Sequence, residues 1–189
     1  MRLSLVLLIL ALGSASQHVA TTKGEVEATT SGLRTRMKTD HFAIDLPGKW
    51  HADTAEKSEV SEFWSYQQDD GPGALTVSLM TLRPKAAADP RHRHDALAGI
   101  VQARKQGLHQ MAGDSLKLSP DEVADGRGGA RSISLSYVDL RNGVIGRYSA
   151  LLSGERIVTG MYYEQAAPAA ETLVRERAEI ILRQFCMVR

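Results

Sequence analysis

From His41 onward the hydrophobic positions fall into two alternating periods. At His41–Leu46 the apolar Phe42, Ile44 and Leu46 alternate with His41, Ala43 and Asp45, the period-2 pattern of a half-buried strand. Pro47-Gly48 stops that strand, and Trp50 is placed to pack back over it as a core plug. Glu62–Gln67 (EFWSYQ) predicts a short aromatic strand and Asp69-Asp70-Gly71-Pro72-Gly73 a turn. Leu75–Leu82 supplies the hairpin partner, with Leu75, Val77 and Leu79 alternating with Thr76, Ser78 and Met80.

The period then lengthens to that of a helix. Asp89-Pro90 reads as an N-cap and first helical residue, Leu97, Ile100, Val101, Leu108 and Met111 recur at helical spacing, and Gly113 suits a C-cap. One amphipathic helix is therefore predicted over Arg91–Ala112. Leu116 and Leu118 predict a short strand ending at Pro120. Beyond Ala130, Ile133, Leu135 and Tyr137 alternate with serines, Asn142-Gly143 is a two-residue hairpin signal, and Val144–Leu152 resumes the extended pattern. Gly154-Glu155 turns the chain again, and Arg156–Tyr163 closes a three-stranded antiparallel meander. Pro168 opens a last helix. There Leu173, Val174, Ala178, Ile181, Leu182 and Phe185 form an apolar stripe, while Glu171, Arg175, Glu176, Glu179 and Arg183 face water. Strands, helix, strands, helix is the order of an α+β fold: an antiparallel β-sheet with a C-terminal meander, covered by two main amphipathic helices.

The first residues have a different character. Met1-Arg2 is followed by the apolar run Leu5–Leu12 and then by the small residues Gly13, Ser14, Ala15 and Ser16, the pattern of a secretory signal peptide over 1–16 cut after Ala15 or Ser16. The run is too short to span a bilayer. A lipoprotein signal needs a cysteine after the small residues, and the single cysteine is Cys186. The expected product is thus a secreted protein of the bacterial periplasm, released and not lipid-anchored, with no stable membrane insertion after cleavage. Residues 17–39, with five threonines before Arg36 and no apolar period, read as a flexible lead-in with room for one edge strand. Residues 40–189 then form a single domain of 150 residues, a length that buries about 70% of the unfolded surface.

Charge narrows the partner class. The 23 Lys and Arg against 22 Asp and Glu leave no basic surplus, so nucleic acid is not an expected partner. One cysteine makes no internal disulfide, and Cys186 beside Phe185 reads as a buried inert thiol in preference to a redox nucleophile or a dimer-forming thiol.

Candidate chemistry is sparse. Arg91-His92-Arg93-His94-Asp95 offers a His-x-His pair, with His109 further along the helix, and metal or small-molecule binding through His92 and His94 is the alternative functional reading. On a regular helix, however, residues two apart point about 200° away from each other, and the interleaved arginines oppose a cation. No Gly-x-Ser-x-Gly elbow or Walker-type phosphate loop occurs; Ser149 and Ser153 sit in strand patterns, and Gly126-Arg127-Gly128-Gly129 precedes a strand and reads as a turn. Asp69-Asp70 and Asp121-Glu122 are adjacent acids beside glycine or proline, the setting of solvated turn acids. Aromatics remain. Trp50, Phe63, Trp64 and Tyr66 are the candidate partner-binding residues, because Phe63 and Trp64 must face opposite sides of a strand, leaving one exposed or covered by the lead-in; burial of both faces of the sheet is the alternative.

Phe42-Ala43-Ile44-Asp45-Leu46-Pro47-Gly48-Lys49-Trp50, Asp125-Gly126-Arg127-Gly128-Gly129-Ala130-Arg131, Arg156-Ile157-Val158 and Ile180-Ile181-Leu182-Arg183-Gln184-Phe185 stand out together. In these segments the chain resembles the PsbP-like domains, in particular the bacterial DcrB-like proteins, whose fold is shared with the Ran-binding nuclear import factor of yeast. The missing lipobox is a departure from many bacterial relatives. The resemblance implies no cofactor, no catalytic residues and no enzymatic activity. It implies an accessory or protein-binding module acting on another protein in the envelope or in secretion, of the effector-chaperone or immunity type among the options.

Overall fold

The computed structural model describes residues 24–29, 32–38, 42–58, 61–126, 129–183 and 186–187. Its strands are β1 (Gly24–Thr29), β2 (Gly32–Lys38), β3 (Phe42–Pro47), β4 (Trp50–Lys57), β5 (Ser61–Gln68), β6 (Gly73–Thr81), β7 (Leu116–Leu118), β8 (Glu122–Asp125), β9 (Arg131–Asp139), β10 (Val144–Ser153), β11 (Arg156–Gln165) and β12 (Cys186–Met187). The helices are α1 (Pro84–Ala88), α2 (Pro90–Ala112) and α3 (Glu171–Arg183). Among the described residues an antiparallel sheet of eight strands runs β4-β5-β6-β11-β10-β9-β7, with β8 also paired to β9, and a smaller sheet runs β1-β2-β3-β12. The fold is α+β, as the alternating periods predict.

Local signals act as their chemistry requires. The Asp89 carboxylate accepts the Arg91 N–H at 2.8 Å and caps α2, with Pro90 at its first position. Gly113 ends α2 at φ 56°, and Gly154 turns β10 into β11 at φ 61° with Ser153 paired to Arg156.

Some expectations are corrected. Asn142-Gly143 is not a two-residue hairpin: Asp139 pairs with Val144, leaving the four-residue loop 140–143. The buried Asp139 carboxylate causes this, because it accepts the N–H groups of Arg141 and Asn142, the Asn142 amide and the Ser115 hydroxyl, and so holds a wider turn. Met111 and Leu173 were expected on buried stripes but are 49% and 58% exposed. Leu97, Val101, Leu108 and Ala112 set the buried line of α2, and Val174, Ala178 and Ile181 that of α3; the two exposed residues sit roughly 70° and 100° round from those lines. The 17–39 segment, a flexible lead-in with room for one edge strand by its sequence, contains two strands, β1 and β2. Thr35 gives a reason: its hydroxyl donates to the Gly48 carbonyl at 2.8 Å and accepts the Trp50 N–H at 3.0 Å, tying β2 to the turn between β3 and β4.

Each face of the large sheet is half covered. On one face α2 packs over β7, β9 and β10, burying Leu97, Val101 and Leu108 against Leu135, Tyr148, Ile157 and Met161. On the other, α3 and β3 bury Val174, Ala178, Ile181, Ile44 and Leu46 against Trp64, Tyr66, Leu75, Val77 and Val158. The cross-strand rows follow this division. On the α2 face, Thr54, Ser65 and Thr76 lead across β4–β6 to Met161, Tyr148 and Leu135 across β11–β9. On the α3 face, Ala55, Trp64 and Val77 lead through Gly160 to Ser149, Ser134 and Glu122. Apolar side chains lie under each helix, and hydroxyls where the helix ends, so the polar quarters are diagonal to one another.

Candidate binding face

Three of the four aromatic candidates are corrected by their burial. Trp50 is 4% exposed, Trp64 6% and Tyr66 0%, all in the core under α3 and β3. Their strand faces the covered quarter of the sheet, where burying a large ring is favourable. The Trp50 indole N–H donates to the Pro47 carbonyl at 2.8 Å, and its ring lies 6.3 Å from that of Tyr162.

A buried ionic knot adjoins this plug. The Tyr162 hydroxyl donates to Glu164, and Arg177 of α3 donates from Nε and an Nη to both Glu164 oxygens at 2.6 Å. Glu164 is 2% exposed. Burial alone would raise its pKa, but the Arg177 and Tyr162 donors outweigh burial and hold it below the usual carboxylate range. The same balance lowers Asp139, where donors from Asn142, Ser115 and the backbone overcome burial. These carboxylates are fixed in the charged form, the setting of structural anchors.

Phe63 takes the opposite side of β5 and stays partly exposed. It lies in the polar quarter beside α2, between Glu56 of β4 and Ser78 of β6. The next row carries Thr54, Ser65 and Thr76, and the Ser65 hydroxyl donates to Asp53 at 3.2 Å. One row further, His51 lies opposite Gln67 and contacts Asp69 at 2.5 Å, with Nδ1 facing Oδ1. Tyr163 borders this quarter; burial raises its pKa, and the Asp53 carboxylate adds to the effect. One aromatic ring among hydroxyls and carboxylates is suited to contact and hydrogen bonding.

The remaining sequence candidates are dispersed. His92 faces Asp89 at 3.4 Å and is well exposed, whereas His94 approaches the Arg131 guanidinium at 3.5 Å. The metal reading is therefore not supported by their placement: the two imidazoles have different partners, one of them a cation, and His109 is about four turns further along α2. Among the described residues no group of three or more His, Cys, Asp or Glu is gathered as a metal site. Asp121 pairs with Lys105 at 2.6 Å, and Glu122 with Arg147 at 2.6 Å. Asp70 is an exposed turn residue. The Gly126 N–H donates to the Ala130 carbonyl, closing the glycine-rich turn into β9. The backbone of Cys186 pairs with Ala43, so the residue sits in a strand beyond the helix; its side chain and Phe185 lie outside the described residues, as does the signal segment 1–16. Sequence reading passed over Arg147, although a lone arginine inside the apolar run of β10 was a visible signal.

Comparison with known proteins bears on the fold. No family model matches the chain, and no curated protein matches its sequence. The solution structure of cyanobacterial PsbP (CyanoP) from Synechocystis sp. PCC 6803 is similar with a TM-score of 0.59 at 12% identity, covering 94% of this chain and 99% of that one. The chain has a PsbP-like fold. A Pseudomonas aeruginosa protein of unknown function, PA94, aligns with a TM-score of 0.41 at 13% identity over 88% of this chain and 97% of that one, too low a score to add to this. No helix among the described residues is long and apolar enough to cross a membrane.

Proposed function

We propose that this chain is a secreted, non-enzymatic protein-binding module that contacts its partner through the open quarter of the sheet on β4–β6, with Phe63 as the anchor. The observation that carries this reading is the inversion of its aromatics: Trp50, Trp64 and Tyr66 go into the core, and Phe63 alone of the four stays partly exposed on a sheet surface that α2 does not cover. Aromatic rings with a polar rim are the usual anchors of protein interfaces. The non-catalytic part rests on the resemblance to PsbP-like domains, which implies no catalytic residues; Glu122, Asp139 and Glu164 are each held by hydrogen-bond donors of the fold. The signal-like start and the resemblance to DcrB-like proteins support a periplasmic setting and an envelope or secretion partner, with chaperone and immunity roles within that class.

Affinity capture from periplasmic extract with the full chain, run in parallel with Phe63→Asp and with Leu173→Ser on the exposed flank of α3, tests it. A stoichiometric protein held by the wild type and by Leu173→Ser but lost with Phe63→Asp is the expected result. Equal capture by all three removes Phe63 from the interface.

A further inference from the structure

The second polar quarter, diagonal to Phe63, is built around an arginine. Arg147 projects from β10 on the α3 face, and its side chain is only 12% exposed. Its two Nη groups donate to the two oxygens of Glu122 at 3.0 and 2.6 Å, a two-pronged grip, and one Nη also reaches the Ser136 hydroxyl at 3.2 Å. Beside it the Ser134 hydroxyl donates to Ser149 at 2.9 Å. The floor is thus hydroxylated; Arg175 and Arg183 of α3, each paired with a glutamate one turn away on its own helix (Glu171 and Glu179), lie near enough for their charge to act on Glu122.

The gripped carboxylate is peripheral. Glu122 is 61% exposed, and every residue of β8 is exposed. Its pKa is lowered first by the Arg147 hydrogen bond, burial opposes, and the fields of Arg147, Arg175 and Arg183 add to the lowering. Arg147 is therefore the cation that grips Glu122, an exposed carboxylate on β8; Arg175 and Arg183 add to the field on Glu122, and Glu179 of α3 acts on Arg147 in turn. Such an arrangement matches a carboxylate in shape and charge whether the group belongs to the chain or arrives from outside.

We infer that the surface around Arg147 is a carboxylate-binding site in which Glu122 is an internal occupant that an external carboxylate displaces from Arg147. The ligand class is a planar carboxylate, carried either by a small free acid or by the C-terminus of an extended peptide lying on the serine floor. This site is separate from the Phe63 surface and does not rest on the function proposed for it.

The test is an NMR titration of the isotopically labelled full chain with three probes: N-acetyl-Gly-Ser-Gly with a free C-terminus, the same peptide amidated, and sodium acetate. Each is run on wild type, Glu122→Ala, Arg147→Gln and Arg147→Lys. Removing the competing carboxylate in Glu122→Ala should tighten binding of a carboxylate probe by about tenfold, with shifts on β8–β10. Both Arg147 variants should lose it, Arg147→Lys because charge remains but the fork does not, and its dispersed spectrum reports that the fold is kept. Preference for the free-acid peptide over acetate assigns the site to a chain terminus, and equal binding assigns it to small acids. Equal binding of the amidated peptide, no tightening in Glu122→Ala, or no binding to either Glu122→Ala or wild type overturns the inference.

Discussion

Replacing Arg177 with alanine leaves the Glu164 carboxylate inside the sheet without its cation. Glu164 is 2% exposed and loses two 2.6 Å charge-assisted bonds. Removing one partner of a fully buried pair costs about 3–5 kcal/mol. Two features reduce the figure here: the Arg177 side chain is itself 47% exposed, so water reaches that side, and the Tyr162 hydroxyl still donates. A loss of about 2 kcal/mol is expected. Urea unfolding at pH 7, followed by Trp fluorescence because Trp50 adjoins Tyr162, measures it. Adding Glu164→Gln to Arg177→Ala removes the stranded charge, so the double variant should be more stable than Arg177→Ala alone. Acid gives an independent reading. The folded pKa of Glu164 lies below its unfolded value, so its contribution is present above the unfolded pKa of about 4.3 and is lost as pH falls through the folded value. Wild type should therefore lose more stability than Glu164→Gln on acidification below about pH 5. An Arg177→Ala variant within about 0.5 kcal/mol of wild type would refute the knot as a source of stability.

Two further substitutions test the packing. A methyl group at Gly146 would come within 2.5 Å of the Tyr137 ring and 2.6 Å of the Tyr162 carbonyl, so Gly146→Ala should cost about 2 kcal/mol in the same unfolding assay; an unchanged midpoint would show that Tyr137 does not lie across Gly146. The buried Tyr66 hydroxyl has no hydrogen-bond partner among the described residues, so Tyr66→Phe should keep or raise the thermal midpoint, with a gain of up to about 1 kcal/mol, whereas a marked loss would reveal a partner.

Much of the fold was legible because it is local chemistry. Asp89-Pro90, Gly113 and Gly154 each set a boundary through their own backbone or side chain, and the alternation in β5, β6, β9 and β11 states which residues share a face. What escaped depends on distant partners. The widened loop at 140–143 follows from Ser115 and Asp139 meeting across the sheet, and β2 is tied in by Thr35 reaching Gly48 and Trp50. The candidate site was half legible. Period-2 alternation says that Phe63 and Trp64 part, but which one meets water depends on where α2, α3 and β3 lie. The polar quarter around Arg147 was written in Ser132, Ser134 and Ser136, yet only the pairing of β8 with β9 brings Glu122 to it.

The proposed contact surface is the β4–β6 quarter. Hydrogen exchange of the full chain, alone and bound to its captured partner, tests this most directly. Slowed exchange is expected in β4 and β5 around Phe63, with the Leu173–Ile180 flank of α3 unchanged. Slowed exchange on that flank with β4 and β5 unaffected would contradict it.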